Sequence, residues 1–196
     1  MGRPSWDEIE NTLAPLFRHK EPRWDEVIAS LVPFFSGKIR PDWDGFFMGV
    51  VESLRVRSSC DRGRTAALLV KDNRIIATGY AGSLPGFPHC DDEGHQMWKI
   101  IDDQGNESNH CFRTLHAEEN LIIQAAKFGI SVAGSTLVCM MTPCHQRCAP
   151  LIVGAEIVRV VAKRRYHADG PSIKMFEQAG IQLDILDDGV ETYENQ

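Results

Sequence analysis

The spacing of hydrophobic positions divides the chain into a helical N-terminal part and a part with mixed elements. Up to about residue 54, apolar residues recur every three or four positions after each of three Pro-x-Trp-Asp starts, at Trp6, Trp24 and Trp43. A proline at the entrance and an acid in the first turn are typical of helix starts, so the pattern predicts three amphipathic helices. The third helix has its apolar positions at Trp43, Phe46, Phe47, Val50, Val51 and Leu54.

From Thr65 onward, short apolar runs alternate with helical patterns. TAALLV and RIIATGY, joined by Lys71-Asp72-Asn73, predict a hairpin of two strands. Further strands are predicted over STLVCMM, EIVRVVA and IQLDIL, and helices over HAEENLIIQAAKFG, residues 143–154 and PSIKMFEQAG. The segment AGSLPGFPHCDDEGH and the polar stretch to Asn109 are expected to be loop, and the acidic tail from Asp187 is expected to be frayed. The alternation of strands and helices predicts a layered α/β fold.

Composition narrows the class of protein. A chain of 196 residues with 43% hydrophobic and 24% charged residues has the make-up of one globular domain. The net charge of −6 disfavours binding to nucleic acid, which usually needs a basic surface. No run of 18 apolar residues and no secretory leader occur, so we expect a cytoplasmic protein without a membrane span. In a reducing compartment, the six cysteines are expected to be metal ligands, reactive thiols or core residues.

Two short motifs carry the candidate chemistry, and each is predicted at a helix start. His116-Ala117-Glu118 opens one helix, and Pro143-Cys144-His145-Gln146-Arg147-Cys148 opens another. Two thiolates and an imidazole leave the fourth position of a tetrahedral Zn²⁺ for water, whose pKa zinc lowers to about 7. Glu118 is placed to take the proton of that water. The sequence therefore predicts a catalytic zinc on His116, Cys144 and Cys148, as in the zinc deaminase signature H-x-E…P-C-x-x-C.

The cysteine spacing departs from that signature, because it is C-x-x-x-C here. Residues four apart share a helix face as residues three apart do, so we expect zinc binding to survive. His145 is an alternative ligand to one of the cysteines. Another interpretation is a closed zinc site, in which Glu118 is only an acid in the first helical turn.

On these motifs the sequence resembles the deoxycytidylate (dCMP) deaminase family. The resemblance covers about residues 40–186 and rests on RPDWDGFFMGVVESLRVRSSC, NRIIATGYAGSLPGFPHCDDEGH, CFRTLHAEEN, TPCHQRCAPLIV, RRYHAD and FEQAGI. It implies a three-layer cytidine-deaminase-like fold with a five-stranded mixed sheet flanked by helices, in homo-oligomers. It also implies conversion of dCMP to dUMP and ammonia by zinc-bound hydroxide, with Glu118 moving the proton to N3 and the leaving amine. The substrate contacts that it suggests are Ala81, Ala117, Thr142 and Tyr166.

The same resemblance divides the chain and adds a second metal. A helical extension (1–39) precedes the catalytic domain (40–186), and the acidic tail (187–196) follows it. A structural zinc is expected on Cys60, Cys90, His95 and Cys111, with His89 and His110 as alternative fourth ligands. The alternative is that these cysteines are core thiols, as we expect for Cys139.

One substitution affects the choice of substrate. Ala81 stands in GYAGS where the family has GYNGS, so hydrogen bonds to a nucleotide are lost there. Regulation by dCTP with Mg²⁺, which the family implies, involves the same loop. Alternative functions are deamination of dCTP, of a modified cytosine nucleotide or of single-stranded nucleic acid, and non-catalytic nucleotide binding. The cations Lys163, Arg164 and Arg165 are candidates for contacting a phosphate, although a run of charges is usually a solvated face. Arg113 is a candidate either for contacting the phosphate or for supporting the zinc loops.

Overall fold

The computed structural model describes residues 40–101, 105 and 107–191. The first two predicted helices, and with them the predicted extension 1–39, lie outside the described residues. The domain boundaries therefore stay a prediction. Among the described helices, none is long and apolar enough to cross a membrane.

The elements follow one another along the chain as helices and strands of moderate length. The helices are α1 (Trp43–Leu54), α2 (Cys90–Glu93), α3 (Ala117–Phe128), α4 (Cys148–Gly154) and α5 (Gly170–Ala179), with two 3-10 turns at Arg55–Arg57 and Asp61–Gly63. The strands are β1 (Ala66–Lys71), β2 (Arg74–Tyr80), β3 (Gly82–Ser83), β4 (Met97–Ile101), β5 (Glu107–Cys111), β6 (Thr114–Leu115), β7 (Thr136–Met141), β8 (Arg159–Tyr166), β9 (Gln182–Ile185) and β10 (Val190–Glu191).

The central sheet is mixed, and its main strands run in the order β2-β1-β7-β8-β9. β1 pairs antiparallel with both β2 and β7, whereas β7, β8 and β9 are parallel. The short strand β10 adds a parallel pair beside the C-terminal end of β8. Two separate hairpin-like pairs, β3 with β6 and β4 with β5, lie outside this sheet.

Helices cover both faces of the sheet, which gives three layers. Helix α1 packs Phe47, Met48 and Val51 against one face, over side chains of β1, β7 and β8. Its N-terminus is capped, since Asp42 accepts a hydrogen bond from the Gly45 N–H at 2.7 Å. Helices α3, α4 and α5 cover the other face, where the larger core includes Leu121, Ile152 and Phe176. The predicted mixed sheet flanked by helices is confirmed, and the short strand β10 makes it six-stranded rather than five-stranded.

Three local predictions from the sequence are wrong. The polar stretch before Asn109 contains the hairpin β4–β5, in which Trp98 packs on Phe112 with ring centroids 4.8 Å apart. Helix α4 begins only at Cys148, so the segment from Pro143 onward is a turn rather than a helix. Residues 187–191 of the acidic tail are held to β8, because both Asp187 and Glu191 accept hydrogen bonds from Arg164, and the rest of the tail lies outside the described residues.

The run of three cations lies in β8, and each of the three is paired with carboxylates. Lys163 contacts Glu52, Arg164 contacts Asp187 and Glu191, and Arg165 binds Asp169. These pairs fasten β8 to α1 and to the segments that follow β8. They favour the interpretation of the run as an ion-paired face over that of a phosphate site.

Strand β2 approaches helix α3 closely at Gly79. A Cβ atom at this position would lie 2.3 Å from the carbonyl oxygen of Ala117 and 2.7 Å from the backbone nitrogen of Leu121. Glycine is therefore required for the backbones to approach this closely. The contact fixes the height of the first turn of α3 above the sheet.

Candidate metal and proton-transfer site

The His-x-Glu motif lies at the start of α3. His116 is the residue before the helix, and its backbone N–H donates to Oε2 of Glu119 at 2.7 Å. Glu118 is in the first turn and points into the interior, where it is only 8% exposed. The helix ends as predicted at Gly129, whose φ of 66° is the left-handed conformation that glycine adopts readily.

The two cysteines of the second motif lie on either side of a turn. Cys144 follows β7 after Thr142 and Pro143, and Cys148 is the first residue of α4. The Ala149 N–H donates to the Cys144 carbonyl at 2.9 Å, which closes the turn over residues 145–147. The sequence had suggested that the two cysteines share a helix face. They do not, because Cys144 precedes the helix and the turn between them contains the extra residue.

The motifs nevertheless bring three metal-binding atoms together. Nδ1 of His116 lies 3.3 Å from Sγ of Cys148 and 3.5 Å from Sγ of Cys144. All three atoms are within 4.8 Å of one another. Tetrahedral Zn²⁺ with its usual bond lengths separates N and S ligands by about 3.5 Å. The donor set and its spacing therefore fit zinc with one coordination position left open. His145 is not one of the three.

A buried carboxyl group borders this trio of His116, Cys144 and Cys148. Oε2 of Glu118 is 3.4 Å from Sγ of Cys148. Burial raises the pKa of Glu118, since the charged form loses hydration. A hydrogen bond from Cys148, aided by His116, lowers the pKa of Cys144 to about 3, so that its thiolate is present at neutral pH. The carboxyl group of Glu118, which can hold a proton, thus lies beside a cluster in which Cys144 is a thiolate.

A second cluster contains the four residues predicted for a structural metal. The ligand atoms of Cys60, Cys90, His95 and Cys111 lie within 4.8 Å of one another. Sγ of Cys90 is 3.6 Å from Sγ of Cys111, and Sγ of Cys60 is 3.8 Å from Nδ1 of His95. These separations fit a tetrahedral site of four protein ligands.

The surroundings of this quartet (Cys60, Cys90, His95 and Cys111) distinguish it from the alternative histidines and from the remaining core cysteine. His89, proposed as an alternative ligand, lies 2.7 Å from the Ser59 hydroxyl through Nδ1, and the quartet includes neither it nor His110. Cys139 is fully buried in the core, as expected. Nε2 of His95 is 3.0 Å from Asp61, which leaves Nδ1 facing the cysteines.

The predicted substrate residues lie at four separate places in the fold. Ala117 is buried at the first position of α3, and Thr142 is buried after β7 with its N–H donating to the Arg164 carbonyl at 3.0 Å. Tyr166 ends β8; burial, with a smaller effect of Cys144, raises its phenol pKa. Ala81 is buried, and its carbonyl accepts from the Ser58 hydroxyl at 2.8 Å.

Three residues near the two clusters were missed at the sequence level. Arg147 donates two hydrogen bonds to Glu119, and Asp61 contacts His95. Arg62 binds the Asn109 carbonyl at 3.0 Å and lines a surface pocket with His95, Met97 and Asn109. A charged residue immediately beside each metal-binding motif was the available signal, but sequence alone does not say which charges meet.

Comparison with known proteins agrees with this geometry. Residues 41–164 match the family described as the cytidine and deoxycytidylate deaminase zinc-binding region. ComE operon protein 2 of Bacillus subtilis is 39% identical over 148 residues, which are 76% of this chain and 73% of that protein. The deoxycytidylate deaminase of Schizosaccharomyces pombe is 33% identical over 74% of this chain, but the match spans only 44% of the yeast protein.

A solved structure extends the comparison to three dimensions. The dCMP deaminase of cyanophage S-TIM5, crystallised with dCMP and dUMP, superposes with a TM-score of 0.59 at 26% identity. The superposition covers 75% of this chain and 98% of the phage chain. The similarity therefore includes nearly the whole phage protein.

Proposed function

Because the chain belongs to the cytidine and deoxycytidylate deaminase family, we propose that it deaminates dCMP to dUMP with a catalytic zinc. The family places it among the hydrolases that remove the amine of a cytosine nucleotide. The finer assignment, dCMP with Glu118 as proton shuttle, is our own. It is supported by the names of the relatives and by the dCMP and dUMP bound to the phage protein.

The observation that carries this proposal is the buried carboxyl group of Glu118 beside three metal-binding atoms. His116, Cys144 and Cys148 would supply three ligands to a zinc ion, which would leave the fourth position of a tetrahedral ion to a non-protein ligand. A closed structural site would use four protein ligands and would need no acid. An open site with an adjacent carboxyl group is what hydrolytic chemistry requires.

The residues of the chain divide the work of the reaction. Bound zinc supplies a Lewis acid that makes water nucleophilic at neutral pH. Glu118 takes a proton from the water as the water oxygen bonds to C4 of the cytosine, and it gives that proton to N3. Glu118 then carries the remaining proton of the added hydroxyl group to the amine, so that the C4–N bond breaks as the C4 carbonyl forms, and ammonia and dUMP are released. Its raised pKa suits this task, because the carboxyl group must both accept and release a proton. Ala117, Thr142 and Tyr166 are proposed to border the base, and Ala81 the nucleotide.

The quartet is proposed to hold a second, structural zinc. Four protein ligands at tetrahedral separations leave no open position. Nε2 of His95 lies 3.0 Å from a carboxylate oxygen of Asp61, and this contact holds the imidazole with Nδ1 toward the cysteines. This metal would tie the Cys60 segment to α2 and β5, and β5 is followed by the short strand β6, which ends immediately before His116.

The test is product analysis by liquid chromatography and mass spectrometry. Purified zinc-loaded protein is incubated separately with dCMP, CMP, dCTP, deoxycytidine and a cytosine-containing single strand. Conversion of dCMP alone, with a gain of one mass unit, is the expected result. Conversion of a different compound would move the substrate assignment and make Ala81 the first residue to revert to Asn. No conversion by zinc-loaded protein would favour a non-catalytic nucleotide-binding protein.

Homo-oligomer formation, a magnesium-dependent allosteric nucleotide and a cytoplasmic location stay predictions.

A further inference from the structure

One ion pair joins the two segments that carry the trio. Glu119 follows Glu118 on α3, and Arg147 immediately precedes Cys148. Nε of Arg147 donates to Oε1 of Glu119 at 2.8 Å, and Nη2 donates to Oε2 at 2.7 Å. This two-bond arrangement between guanidinium and carboxylate fixes orientation as well as distance.

The same carboxylate also holds the other segment. Oε2 of Glu119 accepts the backbone N–H of His116 at 2.7 Å. The Glu119 side chain is 11% exposed and that of Arg147 28%, so solvent screens the pair less than it would a surface pair. Glu119 thus connects the backbone of one ligand, His116, to the residue beside another ligand, Cys148.

Arg147 belongs to the turn that accommodates the extra residue between the cysteines. Residues 145–147 are not helical, and Arg147 itself has φ −120° and ψ −53°, outside the regular helical conformation. Helix geometry therefore does not set the distance from Cys144 to Cys148. In the described structure, the Arg147 side chain provides the charged contact between this turn and α3.

From these contacts we infer that Arg147 is a positioning residue for the trio. Its ion pair with Glu119 holds the C-x-x-x-C turn against the start of α3, so that both cysteines reach the metal that His116 binds. The inference rests on the proposed function, in which the trio binds zinc. It assigns to Arg147 no contact with substrate.

The experiment measures zinc affinity by equilibrium competition with a chromophoric chelator. In the full-length Arg147→Met variant, one equivalent of zinc should bind about 10- to 100-fold more weakly than in the wild type, the usual effect of losing a residue that supports a metal ligand. Arg147→Lys keeps the charge but loses the two-bond geometry, so it should recover part of the affinity. The double variant Arg147→Met, Glu119→Gln should bind zinc only slightly more weakly than either single variant, because both substitutions remove the same ion pair.

Arg159→Met is the matched control. Arg159 has the same 28% side-chain exposure and makes a two-bond contact with Asp44, but neither residue belongs to a metal cluster. It should leave the affinity of both zinc sites within twofold of the wild type. Equal effects of Arg147→Met and Arg159→Met, or no change in Arg147→Met, would overturn the inference.

A further variant separates this inference from the proposed function. Cys148→Ala should abolish one equivalent of zinc binding if the trio is a metal site. If Cys148→Ala leaves the number of bound zinc ions unchanged, the trio is not a zinc site, and both the inference and the proposed function are overturned. If Cys148→Ala removes one zinc but Arg147→Met has wild-type affinity, only the inference is overturned.

Discussion

The trio and the quartet are built from the same two residue types but offer a metal different environments. The trio supplies three donors and lies beside the buried carboxyl group of Glu118. The quartet supplies four donors, and its neighbouring carboxylate, Asp61, is 64% exposed and contacts a ligand rather than facing an open position. The number of protein donors and the position of the nearest acid therefore distinguish the trio, proposed as a catalytic site, from the quartet, proposed as a structural site.

The places of the two clusters in the fold reinforce this difference. The trio takes its residues from the start of α3, from the turn before α4 and from the first residue of α4, and both helices pack on one face of the central sheet. The quartet collects its ligands from α2, from the end of β5 and from two connecting segments, none of which is part of that sheet. A metal in the quartet would link segments that do not pair into the central sheet.

The largest expected effect comes from removing the acid of the trio. Glu118→Gln keeps the size of the side chain but cannot carry the proton, so kcat for dCMP should fall by about 10²- to 10⁴-fold. Zinc content and thermal stability should stay as in the wild type. Steady-state ammonia release provides the measurement. Glu93→Gln, an exposed acid of α2 near the quartet, is the control that should keep full activity.

The next effect should appear in stability when the quartet loses a donor. Cys90→Ala should lower the free energy of unfolding by roughly 3–4 kcal/mol in free zinc at 100 to 1,000 times the dissociation constant, the contribution of binding at that excess. Urea unfolding with and without zinc measures it. His95→Cys preserves four donors and should retain the zinc-dependent stability. Equal stability of Cys90→Ala and wild type in zinc would contradict a structural metal there.

A smaller effect should follow from changing the support of the trio without touching a ligand. Gly79→Ala forces a Cβ against the Ala117 carbonyl, so it should cost about 1–3 kcal/mol of stability. It should also displace the first turn of α3 and reduce kcat by up to about 10²-fold. Thermal unfolding and turnover measure the two effects. Gly49→Ala in α1 has open space around its new methyl group and should slightly stabilise the protein.

The smallest effect concerns an ion pair remote from both clusters. A hydrogen bond from Arg159 lowers the pKa of Asp44, which ties α1 to β8. A lowered folded-state pKa stabilises the fold above the unfolded value of about 3.9, and this stability is lost as the pH falls through the folded pKa. Arg159→Met should therefore cost up to about 1 kcal/mol at pH 7. Its difference from wild type in urea unfolding should shrink below pH 4; a pH-independent difference would contradict the electrostatic origin.

The sequence predicts most of the sheet because its main strands are apolar runs with clear boundaries. RIIATGY corresponds to β2 without a shift, and Gly129 ends α3 as expected. The hairpin β4–β5 was missed, since β4 (MWKII) is a short run without alternation, β5 (ESNHC) is polar, and the pairing is stabilised by contacts such as Trp98 on Phe112. Local periodicity does not report such contacts between distant residues.

The ligand sets were also predictable, whereas the residues that hold them were not. The spacing of the His-x-Glu and Pro-Cys motifs identified the trio, and the resemblance to the deaminase family suggested the quartet. The turn between Cys144 and Cys148 was predicted as helix, because the spacing alone allows both. The pairing of Glu119 with Arg147 depends on how α3 and that turn meet in space, which a single sequence does not show.

The central claim is that one cluster is catalytic and the other structural, and counting zinc against turnover tests it most directly. Native mass spectrometry and dCMP turnover are measured on wild type, Cys148→Ala and Cys90→Ala at saturating zinc. The account predicts two zinc ions in the wild type and one in Cys148→Ala, which has no measurable activity. Cys90→Ala should have a weakened second zinc and near-normal turnover per folded molecule. Full activity in a Cys148→Ala variant lacking one zinc, or loss of activity only in folded Cys90→Ala, would contradict it.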